Sequence, residues 1–214
     1  MSQADFNGIY RLRRRRSASS QGFSLVELLI AVAVIVIMSG MAYFQLQTPL
    51  MGARSDAAMR EVMDQLRQAR EYSIVNRRYV QVTFPPSSIG QPQVQITQKN
   101  SLTKTENAGS DVVLSTVPLQ TPVIFTLVTG MADTPDGFGN AYAIEFEGLN
   151  GLPTAGMMFQ SDGELVDAAT YLPISGTVFL GVAGKTASAR AITVLGTTGR
   201  VRGWRSTGTA WVQF

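Results

Sequence analysis

Gly22-Phe23-Ser24-Leu25-Val26-Glu27-Leu28-Leu29-Ile30, which runs on as an apolar stretch to about Phe44, decides how the rest of the chain is read. From Phe23 onward about 20 consecutive residues carry one charge, Glu27, and that length crosses a hydrocarbon core as a helix. Just ahead of it, five of the six positions from Arg11 to Arg16 are arginine. Arginines flanking an apolar span hold that flank on the cytoplasmic side. The sequence therefore predicts a single-pass anchor, with residues beyond Phe44 across the membrane. No small-residue cleavage site closes the apolar run, so the span is expected to stay in the membrane rather than leave as a secretory signal.

Glu27 is the anomaly in this stretch. A carboxylate at the centre of a span costs about 2.5–3.5 kcal/mol. Near the cytoplasmic end the cost is lower, because the side chain can reach the interface. Two readings stand side by side: a tolerated acid that reaches for water, or an acid kept for a positive partner inside the membrane.

Composition narrows the remainder. The chain has 214 residues, enough for one anchor and one domain, with 45% hydrophobic residues to build a core. Its formal charge of +3 comes from the N-terminus, since residues 1–22 hold five arginines and one aspartate. Beyond residue 22 there are 13 basic and 14 acidic residues, unevenly placed. Residues 99–167 hold nine acids and two lysines, whereas residues 185–214 hold five bases and no acid. There is neither histidine nor cysteine, which removes Ser-His-Asp and Cys-His nucleophile systems and the commonest zinc ligands. Disulfides are excluded for the same reason.

From Met51 to about Asn76 the apolar positions Met59, Val62, Met63, Leu66, Ala69 and Ser73 recur at spacings of three and four, which predicts an amphipathic helix. Asp56–Arg60, Arg60–Asp64 and Arg67–Glu71 are four apart and suit its exposed face. Anchor and amphipathic segment are expected to form one long helix, with Pro49 as the place where it would bend. After Arg78 the period changes to two. Residues 79–84, 93–98, 112–114, 123–128, 142–146, 157–160, 177–182, 191–195, 201–204 and 210–214 read as short strands between turn residues, and 99–111 as a loop. The fold class is α+β: a long, partly transmembrane N-terminal helix packed on an antiparallel, sandwich-like β domain. The expected segments are 1–22, a polar leader; 23–44, the span; 45–78, its amphipathic continuation; and 79–214, the β-rich domain.

Few residues suggest chemistry. Gly184-Lys185-Thr186 lacks the glycine a phosphate-binding loop needs five residues before Gly184, where Phe179 stands. Asp133, Asp136 and Asn140, and again Asp162, Glu164 and Asp167, read as turn residues rather than calcium ligands. Glu145 and Glu147 share a strand face with no cofactor signature beside them. No enzyme, metal or cofactor is predicted. The C-terminal Gly199-Arg200-Val201-Arg202-Gly203-Trp204-Arg205 differs. On a strand Arg200 and Arg202 project to one face. With Arg205 beside them, Lys185 and Arg190 earlier in the sequence and Trp204 to stack, the segment could follow phosphates. The plainer reading is a tight hairpin with solvated arginines, or arginines that pair with a neighbouring subunit.

Gly22-Phe23-Ser24-Leu25-Val26-Glu27 resembles the type IV prepilin processing motif. The resemblance implies that a prepilin peptidase cuts between Gly22 and Phe23 and methylates the new amino terminus at Phe23. Glu27, then the fifth mature residue, would pair with the amine of a neighbouring subunit during assembly. Two opposite charges in low dielectric attract strongly, and each alone is costly there. Ala69-Arg70-Glu71, the segment Met158-Phe159-Gln160-Ser161-Asp162-Gly163, Arg190 to Val194 and Gly199-Arg200-Val201-Arg202 are similar to the GspH/FimT group of minor pseudopilins and minor pilins. That group implies an inner-membrane precursor with a periplasmic C-terminal domain, assembling with other pilin or pseudopilin subunits of a type II secretion filament or a type IV pilus, near its tip. Its FimT branch associates the Gly-Arg-x-Arg motif with DNA uptake in transformation, which would make Arg200, Arg202, Trp204 and Arg205 a DNA-binding set. Both readings stay open on the sequence.

Overall fold

A computed structural model describes residues 22–86, 90–100, 111–128, 130–148 and 156–214. The arginine run from Arg11 to Arg16 and most of the loop expected over 99–111 lie outside the described residues. The chain divides into two compact units, Met1–Gln45 and Leu46–Phe214.

Helix α1 spans Leu25–Asn76, and its helical assignment is continuous through Pro49. Within the first unit, Leu25–Tyr43 is a 19-residue stretch of mean hydropathy 2.6 with none of it buried. A helix satisfies every backbone polar group internally, so this segment meets the main requirement for lying in lipid.

In the second unit the apolar stripe of α1 does what its spacing predicts. Met59, Val62, Leu66, Ala69 and Ser73 are fully buried and Met63 nearly so. The helix ends by a Schellman turn, in which the Arg78 N–H donates to the Ser73 carbonyl and Arg77 adopts φ 52°. Arg77 occupies the left-handed position that glycine usually fills, so the chain turns there despite a side chain.

Eleven strands follow among the described residues: β1 Val80–Thr83, β2 Gln93–Gln98, β3 Val112–Pro118, β4 Ile124–Phe125, β5 Ile144–Gly148, β6 Met157–Phe159, β7 Leu165–Asp167, β8 Ile174–Gly181, β9 Arg190–Leu195, β10 Arg200–Ser206 and β11 Trp211–Gln213. They form two antiparallel sheets. The first has the order β3-β2-β1-β6-β7, and the second β11-β10-β9-β8-β4 with β5 also paired to β8. Val80, Val82, Val94 and Ile96 of the first sheet meet Val178, Leu180, Ile192 and Val194 of the second in one core, which the α1 stripe completes. Helix and sheets are also joined by polar contacts. Tyr72 Oη donates to Gln98 Oε1 at 2.8 Å, and Ser115 Oγ donates to Gln65 Oε1 at 2.9 Å.

Four expectations need correction. The strand expected over 123–128 is only Ile124–Phe125, and Val128 turns instead into a small cluster with Met131 and Ala189. The strand expected from Tyr142 starts at Ile144, because the Glu145 carboxylate takes the N–H groups of Ala141 and Tyr142 at 2.6 and 3.2 Å. Leu165–Asp167, not expected as a strand, is buried throughout and closes a hairpin with β6 over the Asp162-Gly163 turn. None of the three expected i,i+4 ion pairs of α1 forms; Arg67 pairs with Asp64 at 3.5 Å, and Asp56 turns toward the second sheet.

Candidate functional site

At the N-terminal end, Gly22 and Phe23 precede the first helical turn and are exposed, Phe23 at 81%. A Cβ built on Gly22 would meet nothing within 4 Å, so the Gly22–Phe23 bond lies in open chain outside the helix. The Ser24 carbonyl accepts the Leu28 N–H at 3.1 Å, which starts the helix. Glu27 therefore sits in the first turn. The partial positive charge of a helix start favours an acid there, a local electrostatic reason that spacing alone did not supply.

The C-terminal site is built around β10. Within β10, Arg202 and Trp204 project to one face and Gly203 and Arg205 to the other, toward α1, while Arg200 at the strand's start borders the end of α1. Gly203 suits that approach, since a Cβ there would lie 2.7 Å from Met63 Sδ and the methionine would have to shift. On the far face, Arg202 Nη1 donates to Asp136 Oδ1 at 2.7 Å. Asp136 Oδ2 accepts from Thr193 Oγ1 at 2.5 Å, and Thr193 Oγ1 accepts in turn from Trp204 Nε1 at 2.9 Å. Trp204 is 6% exposed and packs with Phe179 and Ala191, so its ring is a core element.

On the face toward α1, Asp56 is held by two arginines. Arg190 Nε donates to Oδ1 at 2.5 Å and Arg205 Nη2 to Oδ2 at 2.6 Å. The two arginines are cross-strand partners between β9 and β10, which aims both at one carboxylate. Arg190 also donates to the carbonyls of Ala187, Ala189 and Gly52. Arg205 lies against the Phe214 ring as well, with Arg60 over the same ring at 4.9 Å.

Three of the stretches singled out in the sequence converge on one side chain. Arg70 Nε donates to the carbonyls of Gly163 and Thr198 at 3.2 and 3.1 Å, so it links α1 to the β6–β7 turn and to the turn before β10. Gly199, at φ 62°, admits this contact, because a Cβ there would stand 2.1 Å from the Gly163 carbonyl oxygen. Gly163, at φ 87°, is pressed against Arg70 and Ile74 in the same way. Gly199 thus has a packing role. Of the four residues weighed for DNA, Arg200 alone has a guanidinium with no partner among the described residues. Arg202 and Arg205 are committed to Asp136 and Asp56, and Trp204 is inside.

The acidic loops are tied to their own backbone, although the buried Asp167 Oδ1 has no partner among the described residues. Asp133 accepts the N–H groups of Thr134 and Gly139, and Asp167 Oδ2 accepts from the backbone and hydroxyl of Thr170. Gly184-Lys185-Thr186 forms the exposed connection between β8 and β9. Two titrations are displaced by their surroundings. The hydrogen bond from Lys99 holds the Asp111 carboxyl below the usual aspartate range, and burial, then the proximity of Tyr171 and Asp162, raises Tyr79. The Asp56–Arg190 pair was missed because nothing local marks it: its members lie 134 positions apart.

Residues 17–43 match the model of the prokaryotic N-terminal methylation motif, the prepilin-type signal of type IV pilins and pseudopilins. With the exposed apolar helix that follows and the α+β domain beyond, the match supports a pilin-like, membrane-anchored chain of the kind that prepilin peptidase processes. The comparisons with curated proteins and with solved structures return no match.

Proposed function

We propose that the chain is a minor pilin or pseudopilin, a structural subunit of a type IV pilus or a type II secretion filament that acts at its tip or in its initiation. The precursor sits in the inner membrane with its arginines cytoplasmic and its C-terminal domain periplasmic. Cleavage after Gly22 removes the leader, Phe23 is methylated, and Glu27 pairs with the amino terminus of the next subunit. The observation that carries this reading is the methylation-motif match over residues 17–43, ahead of a span in which Glu27 is the single charge. A carboxylate one helical turn from a new amine suits a charge pair formed between subunits in low dielectric.

The test is filament incorporation. In cells that assemble the filament, sheared filaments should contain the processed chain in low proportion to the major subunit. Glu27→Gln should be processed normally and be absent from them. Finding Glu27→Gln incorporated as well as the parent protein would defeat the assembly role of Glu27. Finding the parent only in the inner membrane would defeat the filament reading. The alternative, a DNA receptor of an uptake filament, would have Arg200 as its free guanidinium, and the duplex arm of the experiment below tests it.

A further inference from the structure

We infer that the groove between the last turns of α1 and the turn leading into β10 docks an acidic, partly apolar segment of another protein. The groove measures about 760 Å³ and is lined by Arg67, Arg70 and Arg200 with one acid, Glu71. Arg70 is held in place by donating its Nε to the Gly163 and Thr198 carbonyls, and its two terminal nitrogens have no partner among the described residues. A guanidinium fixed through Nε presents its remaining fork with little left to order, which favours bidentate capture of a carboxylate. Arg200 is exposed and its side chain is unpartnered among the described residues. Arg67 is held only by a 3.5 Å contact to Asp64, with both side chains more than half exposed, a pair of little worth that a better acceptor displaces. Ile74 and Val75, 38% and 72% exposed, add apolar surface on the wall of the same groove. Unpartnered arginines beside exposed aliphatic side chains have the character of a protein contact surface.

Charge complementarity sets the partner. Net positive charge in a short groove with an apolar wall fits one or two carboxylates flanked by aliphatic side chains. A nucleic acid backbone needs cations continued along a track. Along β10 that track is interrupted, because Arg202 is neutralised by Asp136 and Arg205 is tied to Asp56, a carboxylate that it shares with Arg190. This surface does not depend on the filament reading, since it would serve any protein partner of that chemistry.

The test uses the full chain in detergent and fluorescence anisotropy with three labelled probes: a decapeptide alternating glutamate and leucine, its glutamine counterpart, and a 20-base-pair duplex. At low salt the acidic peptide should bind about tenfold more tightly than the glutamine peptide, the scale of one charge-assisted contact. Arg200→Gln combined with Arg67→Gln, both exposed substitutions, should remove that preference, while Arg54→Gln, an exposed arginine elsewhere on α1, should keep it. Equal binding of the two peptides, no binding of the acidic one at about 1 mM, or equal loss with Arg54→Gln would overturn the proposal. A duplex that binds more tightly than the acidic peptide, with that binding lost in the Arg200→Gln variant, would overturn it in favour of a nucleic acid partner.

Discussion

Replacing Asp56 by alanine should destabilise the domain far more than its position on a helix surface suggests. The substitution strands Arg190, whose side chain is 3% exposed. Breaking a buried pair by removing one partner costs about 3–5 kcal/mol, because the remaining charge is left uncompensated. Arg190 keeps three backbone carbonyls as acceptors, which places the expected loss near the low end, about 3 kcal/mol. Arg205 shares the same carboxylate but is 45% exposed, so Arg205→Ala should cost about 1 kcal/mol or less. Arg190→Met removes the buried charge itself and leaves Asp56 with Arg205, so it should cost less than Asp56→Ala. The assay is urea unfolding of the unit Leu46–Phe214, followed by tryptophan fluorescence, in which buried Trp204 reports the core. The double variant Asp56→Ala with Arg190→Met should recover part of the loss of Asp56→Ala alone. If Asp56→Ala costs no more than Arg205→Ala, the pair is not an organising contact and the reasoning fails.

Other consequences are as specific. Gly176 lies in β8 opposite Phe146, and a Cβ there would stand 2.2 Å from the Glu145 carbonyl and 2.4 Å from the Phe146 ring. Gly176→Ala should therefore lower stability by about 3 kcal/mol, the upper end for overpacking, since a backbone atom cannot step aside; an unchanged urea midpoint would contradict that packing. Arg77→Gly should act the other way, raising stability by about 0.5–1 kcal/mol by relieving the left-handed conformation at an exposed position, read from the same unfolding curves. Asp111 should titrate below an ordinary aspartate, and Lys99→Met should move it back up, as measured by NMR of its carboxyl. Its folded-state pKa is depressed, so its contribution is present above the unfolded value and fades as the pH falls through the folded one. Added salt should shrink that contribution, because both side chains are partly exposed.

The sequence made some of this plain and concealed the rest for identifiable reasons. The α1 stripe from Met59 to Ser73 was legible because burial on one helix face leaves a 3.6-residue period. The anchor was legible because lipid tolerates so little else. Leu165–Asp167 was not, because three residues carry no period. The role of Gly199 was hidden as well, since what forbids a side chain there is the Gly163 carbonyl of a distant turn. The arginines show the limit most clearly. Arg200 and Arg202 lie two residues apart on one strand, yet Asp136 of a separate loop neutralises Arg202, while Arg200 has no partner among the described residues. Which arginine keeps its charge for a partner is decided by tertiary approach, not by the motif.

Processing and assembly both depend on cleavage of the bond between Gly22 and Phe23. Mass spectrometry of the amino-terminal peptide, from cells with active and with inactivated prepilin peptidase, tests it directly. With the enzyme active, the mature chain should begin at Phe23 and carry one added methyl group; without it, the peptide across Gly22–Phe23 should remain intact. A mature terminus elsewhere, or one at Phe23 that forms equally well without the peptidase, would contradict it.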